Sequence, residues 1–213
     1  MSGCGVKDGS EIHEVVSTCI GVSMNGAQYK CFAPDIQQSH VVNHSDGTVA
    51  EEQRNVLVES ARISRGDIQD LSQLSASKFD ALIIPGGFGA AKNLSNFAEK
   101  GAEFSVLPDL ERVMTEFHKA KKPIGLCCIS PVLAAKVFPG VSVTIGQDEE
   151  TSKVISSLNS KNVVKKVEEV EVDKTNLIVT TPAYMENEPI HKIFTGITNM
   201  VKNVLVLTKK EEL

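Results

Sequence analysis

Two adjacent cysteines sit where a strand gives way to a helix, in Lys122-Pro123-Ile124-Gly125-Leu126-Cys127-Cys128-Ile129-Ser130-Pro131. Pro123, Ile124 and Leu126 read as a short buried strand. Pro131 suits the first turn of a helix, where its missing N–H would lack a partner anyway. A side chain at such a turn is pushed out at the carboxyl edge of the sheet, before the free N–H groups and positive partial charge of the helix start. A cysteine in that place is expected to have a depressed pKa and to act as a thiolate nucleophile. Cys128 is the candidate, and Cys127 is expected to point to the opposite side of the strand. On residue type alone, both are equally at home in a core.

Three loops should meet at that edge, where ligands bind in open α/β folds: residues 3–11, 85–93 and 127–131. Pro85-Gly86-Gly87 lets the backbone approach a ligand, and the N–H groups of Gly87 and Ile129 would form an oxyanion hole. Glu11 opens the first helix, a place that dipole and capping explain by themselves. If it faces Cys128, its protonated carboxyl would hydrogen-bond the thiolate. A cysteine hydrolase also needs a base. Of His13, His40, His44, His118 and His191, the first and fourth fall on helices and read as solvated. His44, in a polar insertion able to fold over the site, is the best candidate. The glycines Gly3, Gly5 and Gly9, with Asp35 beyond the next strand, loosely resemble a dinucleotide fingerprint. They lack the strand that should precede them, and Glu11 would repel a pyrophosphate.

These residues must be positioned by one ordinary globular unit. The chain has 213 residues, 41% of them hydrophobic and 23% charged, so it can bury a real core. A net charge of -5 argues against a nucleic-acid partner, and the sequence has no membrane-length apolar run. Cys4, Cys19, Cys31, Cys127 and Cys128 form neither a C-x-x-C pair nor a pattern with nearby histidines, so no zinc site, metal or disulfide framework is expected. No cofactor is implied.

Helical spacing from Ile12 through Val15, Val16, Cys19 and Ile20 to Met24 predicts a first helix, opened by Asp8-x-x-Glu11 and ended by Asn25-Gly26. A strand is predicted over Tyr29–Ala33, then an insertion at about 36–66 with a helix over 51–65. Strands follow at Phe79–Ile84, 124–127, Val141–Ile145 and Val163–Val167, with helices over 108–120, to Val137 and over 149–158. Residues 170–172 and 177–180 read as a hairpin, 188–207 as a last amphipathic helix, and 209–213 as a frayed charged tail. Strands alternating with helices give an α/β fold with a mainly parallel sheet, one domain over 1–213.

The runs G-L-C-C-I-S-P around Cys128, I-I-P-G-G-F-G-A-A-K-N-L-S-N-F at 83–97 and S-G-C-G-V-K-D-G-S-E-I-H-E at 2–14 resemble the class I glutamine amidotransferase-like superfamily. Within it they are similar to the branch of the bacterial enhancing lycopene biosynthesis protein (ElbB) and its mitochondrial animal relatives. C-F-A-P-D at 31–35, R-N-V-L-V-E-S-A-R-I at 54–63 and V-T-T-P-A-Y-M at 179–185 match the same branch, so the likeness covers nearly the whole chain. It implies a flavodoxin-like three-layer sandwich related to the Parkinson's-disease-associated deglycase and the PfpI proteases. It also implies a nucleophile elbow at Cys128, an acid at Glu11, and oxyanion donors at Gly87 and Ile129. Gly86, Asn93 and His44 complete the candidate binding set. The activity implied is of the glyoxalase type, on a small carbonyl substrate, in mitochondria if the source is an animal and otherwise in the cytoplasm.

The sequence departs from the superfamily in two places. The position of the protease and amidotransferase histidine falls near Gly146, which puts both those activities in doubt. An alternative is then a non-catalytic redox-sensing or binding protein, in which Cys128 oxidises to a sulfinate. Second, the apolar strand that the family carries before S-G-C-G is absent. Its loss is expected to leave neighbouring strands without a shared partner, and to favour aggregation or a homodimer.

Overall fold

The computed structural model of the protein describes residues 1–209. Its centre is β4 (Ile124–Cys127), buried along its whole length. β4 pairs in parallel with β3 (Leu82–Ile84) on one side and with β8 (Ile178–Thr181) on the other. The predicted hairpin is present: β7 (Glu171–Asp173) runs antiparallel to β8 at the edge. Its turn is held by the Asp173 carboxylate, which accepts from the N–H groups of Thr175 and Asn176.

Helices cover both faces, which is why β4 and β8 are buried along their whole length. On one face lie α5 (Pro108–Lys119), α6 (Pro131–Val137) and α7 (Glu149–Ser157), contributing Phe117, Leu133 and Ile155 to the core. The other face is covered by α1 (Ile12–Met24) and α8 (Ile190–Thr208), through Val22, Ile197, Met200 and Val204. This is the three-layer flavodoxin-like arrangement expected. Shorter pieces complete it: α2 (Val56–Ile63), α3 (Phe88–Lys92), α4 (Phe97–Lys100), and the two-residue parallel pair of β5 (Ser142–Val143) and β6 (Lys161–Asn162).

The sheet is split. β1 (Cys31–Ala33) pairs only with β2 (Ile68–Asp70) among the described residues, and β3 forms the edge of the four-stranded sheet. Among the described residues, α1 is the first regular element.

Several expectations change. The strand over 163–167 is absent; pairing stops at Asn162, and the chain runs on as a loop towards β7. β2 was not foreseen, because Ile68-Gln69-Asp70 is too short and too polar to stand out. The expected frayed tail falls largely on 210–213, outside the described residues. Most informative is α1. The four-residue stripe Ile12, Val16, Ile20 and Met24 faces outward, between 40% and 71% exposed. The inward face carries Glu14, Val15, Ser17, Gly21 and Val22. A Cβ at Gly21 would lie 3.3 Å from both Thr198 and Val201 of α8, so a small residue there lets the two helices close up.

Close packing also fixes Gly196 of α8, where a Cβ would run into the Val167 carbonyl oxygen. In an open helix, Gly→Ala stabilises by roughly 0.5–1 kcal/mol. Here Gly196→Ala is expected to destabilise by about 1–3 kcal/mol, the cost of overpacking. Urea unfolding of the two proteins checks the sign.

Candidate active site

The turn after β4 is locked by hydrogen bonds. The Ser130 hydroxyl accepts from the Cys127 N–H at 3.0 Å and lies 2.8 Å from the carbonyls of both Ile84 and Cys127. The Cys128 N–H donates to the Thr181 carbonyl at 3.2 Å. Between strand and helix, Cys128 takes a left-handed conformation, with φ of 60°. For a non-glycine residue that conformation costs roughly 1–2 kcal/mol, so the bonds around it hold a strained residue in place.

The strain aims Cys128 at three groups. The Glu14 carboxyl adjoins its sulfur, since a Cβ placed on Gly86 would lie 2.9 Å from the Cys128 Sγ and 2.8 Å from a Glu14 oxygen, and the Gly87 and Ile129 amides are close enough to act on its pKa. Glu14 is fully buried. One of its oxygens accepts from the Gly86 N–H at 2.9 Å, and the other from the Tyr184 N–H at 3.4 Å. The Cys127 thiol donates to the same carboxylate at 3.6 Å. Cys127 therefore does not lie across the strand from Cys128, as alternation predicts. Alternation holds for extended backbone, and the left-handed turn at Cys128 folds its side chain back to the same layer.

Burial, followed by the charge of Glu11, pushes the Glu14 carboxyl up to about 7. Burial and then the charge of Glu14 push the Cys128 thiol well above its ordinary value; the amides of Gly87 and Ile129 pull the other way but do not win. The expected resting thiolate is thus corrected. Desolvation outweighs the helix start, because Cys128 is only 7% exposed. Each group disfavours the other's charge, so the pair retains at least one proton near neutral pH.

Of the candidate residues, Cys128, Gly87 and Ile129 come together. Gly86 joins them by another route. Its N–H is engaged by Glu14, and it is a glycine because a Cβ would collide with the Cys128 Cβ and crowd the carboxylate. Glu11 does not contact the cysteine sulfur. It caps α1, accepting from the Glu14 N–H at 2.7 Å, while its own N–H donates to the Gly86 carbonyl at 3.1 Å. Asn93 is a buried clamp that donates to the carbonyls of Ser2 and Asp8. His44 accepts from the Lys7 N–H at 3.1 Å and holds the Val42 carbonyl at 2.9 Å, so both ring nitrogens serve the loop. His13 pairs with the Tyr184 hydroxyl at 2.8 Å, beside Glu11. Near Gly146, the expected superfamily histidine position, the Glu186 carboxylate accepts from the Gln147 N–H.

Glu14 and Tyr184 were missed. Glu14 was legible only as a carboxylate on the same face as Ser17 and Gly21, a face that the apolar spacing of α1 disguised. Its raised pKa has a consequence for stability. Below about 4.5 the carboxyl is neutral in both folded and unfolded chains. Between about 4.5 and 7 the unfolded chain releases the proton and the fold keeps it, so stability falls as pH rises. The expected fall is about 3 kcal/mol in total. Glu14→Gln retains an acceptor for Gly86 and should remove most of that fall, as urea titrations at pH 4.5, 6 and 8 will reveal.

No protein-family model matches the chain. A human protein, glutamine amidotransferase-like class 1 domain-containing protein 3, mitochondrial, is 53% identical over 220 residues, covering 99% of this chain and 82% of that protein. The crystal structure of an isoprenoid biosynthesis protein with amidotransferase-like domain from Ehrlichia chaffeensis superposes with a TM-score of 0.92 at 37% identity, over 98% of this chain and 96% of the other. Drosophila melanogaster DJ-1beta shares the fold alone, with a TM-score of 0.57 at 16% identity over 94% of this chain and 91% of that one. With a cysteine at the turn after the central strand, a flavodoxin-like sheet and identity at this level across nearly its whole length, the chain belongs to the glutamine amidotransferase-like class 1 domain-containing protein 3 family.

Proposed function

We propose that the protein is a cysteine-dependent enzyme of the glyoxalase or deglycase type, acting on small dicarbonyls or glycated adducts, within mitochondria if the source is an animal. One observation carries the reading: Cys128, held in a left-handed turn, adjoins across Gly86 the buried Glu14 carboxyl, which burial pushes up to about 7. A general base works best with a pKa near the operating pH.

In the proposed reaction, the Cys128 sulfur bonds to the aldehyde carbon of a 2-oxoaldehyde as the Glu14 carboxylate takes the thiol proton. The Gly87 and Ile129 N–H groups hold the alkoxide, and Glu14 returns the proton to give a hemithioacetal. Glu14 then takes the proton from the former aldehyde carbon, and protonation of the adjacent carbonyl carbon through an enediol gives a 2-hydroxyacyl thioester. Water cleaves the thioester and releases a 2-hydroxy acid and the free thiol. The oxidation of one carbon balances the reduction of its neighbour, so no redox cofactor is consumed. A sensing role needs an accessible thiolate, which burial of Cys128 disfavours.

Methylglyoxal turnover tests the assignment. Cys128→Ser should abolish it, Glu14→Gln should lower kcat by roughly 10²–10⁴-fold, and Glu11→Gln should have the smallest effect of the three. Equal rates in the wild type and all variants would sink the reading.

A further inference from the structure

One residue in the segment after β8 is gripped twice by α1. Tyr184 donates its backbone N–H to the Glu14 carboxylate at 3.4 Å, and its hydroxyl lies 2.8 Å from Nδ1 of His13. The two partners are consecutive residues. A step of about 100° per residue along the helix turns Glu14 into the core and leaves His13 on the flank, its side chain 53% exposed. The rings of His13 and Tyr184 meet there with centroids 5.8 Å apart.

The segment needs such a grip. Ala183–Met185 is a single turn of 3-10 helix without a side-chain cap, and Ala183 takes φ of 47°, a left-handed value that a Cβ disfavours. At its far end, Glu186 accepts from the Gln147 N–H at 2.9 Å. Between these anchors, the Tyr184 N–H sits near the outer limit of a hydrogen bond to Glu14, so a small drift of the turn would lose it. Packing does not account for the hydroxyl. The Tyr184 ring lies against the cluster that holds Cys127 and Cys128, and a phenylalanine would fill that place as well.

We propose that Tyr184 and His13 are positioning residues of the candidate site: their hydroxyl–imidazole pair clamps the turn at 183–185 to α1 and so holds the Tyr184 N–H on the Glu14 carboxylate. A tyrosine hydroxyl can donate or accept, so the clamp persists in either charge state of the imidazole. The groups that act on Glu14 are Glu11 from α1, the Cys127 and Cys128 thiols from the turn after β4, and the N–H groups of Gly86 and Tyr184. His13 reaches it only through Tyr184 and through Glu11, whose carboxylate is 3.7 Å from the imidazole. Losing one N–H leaves a buried carboxylate short of a donor and favours its protonated form. The catalytic consequence rests on the reading of Glu14 as the proton carrier for Cys128: a carboxyl that holds its proton more tightly takes the thiol proton less often at neutral pH.

Carbon-13 NMR of the Glu14 side-chain carboxyl, identified by its loss in Glu14→Gln, reads the effect without any substrate. Tyr184→Phe keeps the ring and removes the hydroxyl. It is expected to move the Glu14 titration up by about 0.5–1 pH unit. His13→Ala should give the same shift, and the double variant no more than either single one. His13→Gln, whose side-chain amide can still meet the hydroxyl, should return the titration to its original place. In methylglyoxal turnover, the acid limb of kcat/KM should move with the titration. A titration unmoved by Tyr184→Phe overturns the proposal, as do shifts that add in the double variant. A shift shared by His13→Ala and His13→Gln overturns it too, because the cause is then the imidazole charge beside Glu11. A titration that moves as expected in a protein that turns over no dicarbonyl supports the clamp and overturns the glyoxalase reading alone.

Discussion

The geometry of the candidate site depends on one buried carboxyl. Glu14 ties α1 to the loop after β3 through Gly86, to the cysteine turn through the Cys127 thiol, and to the segment after β8 through the Tyr184 N–H. A carboxylate without water is costly unless donors surround it. Two backbone N–H groups and the Cys127 thiol supply them here. They only partly offset the burial, which is why the group titrates near neutrality instead of in the usual acid range. Four segments of distant sequence must therefore converge within hydrogen-bonding reach of one side chain, and the neighbouring architecture follows from that requirement.

The convergence is enforced by backbone contact that tolerates no side chains. At Gly87, with φ of 90°, a Cβ would strike the Glu11 N–H and the Gly9 carbonyl; at Gly89 it would strike Ser2 and Gly9. The loop at 2–10 is thus pressed against the loop after β3, and Asn93 fastens it from beneath. Glu11 then caps α1 at a fixed point, which places Glu14 one turn further in. Residues that look chemical by type, Glu11, Asn93 and His44, are engaged in holding this frame.

What was legible in the sequence follows from how local each signal was. The strand–turn–helix at 124–137 carried its own punctuation, with Pro123 and Pro131 bracketing a buried run, and the glycines at 86 and 87 announced a close approach. The hairpin at 171–181 was marked by Asp173 and Asn176. The acid was not legible, because Glu11 and Glu14 are both glutamates at a helix start, and choosing between them depends on which face of α1 packs inward. That face is chosen by Gly21 meeting α8, a tertiary contact that overrode the apolar stripe. The thiol pKa was misjudged for a similar reason. A helix start can be read locally, but desolvation depends on everything packed around the sulfur.

Having one proton shared by a thiol and a carboxyl also limits the chemistry. Amide cleavage needs an acid to protonate the departing amine as well as a base for the nucleophile, and the superfamily position that would supply a histidine lies in Val143-Thr144-Ile145-Gly146. The ring nitrogens of His13, His44 and His118 are engaged with Tyr184, the 3–9 loop and Asn176. Addition of a thiol to an aldehyde makes no such demand. Nothing leaves; the proton taken from sulfur is the one the alkoxide needs, and a single carboxyl that titrates near 7 can carry it both ways. The same economy holds when a proton moves between adjacent carbons. An arrangement with one shuttle and two amide donors is therefore better matched to carbonyl addition and isomerisation than to hydrolysis of an amide.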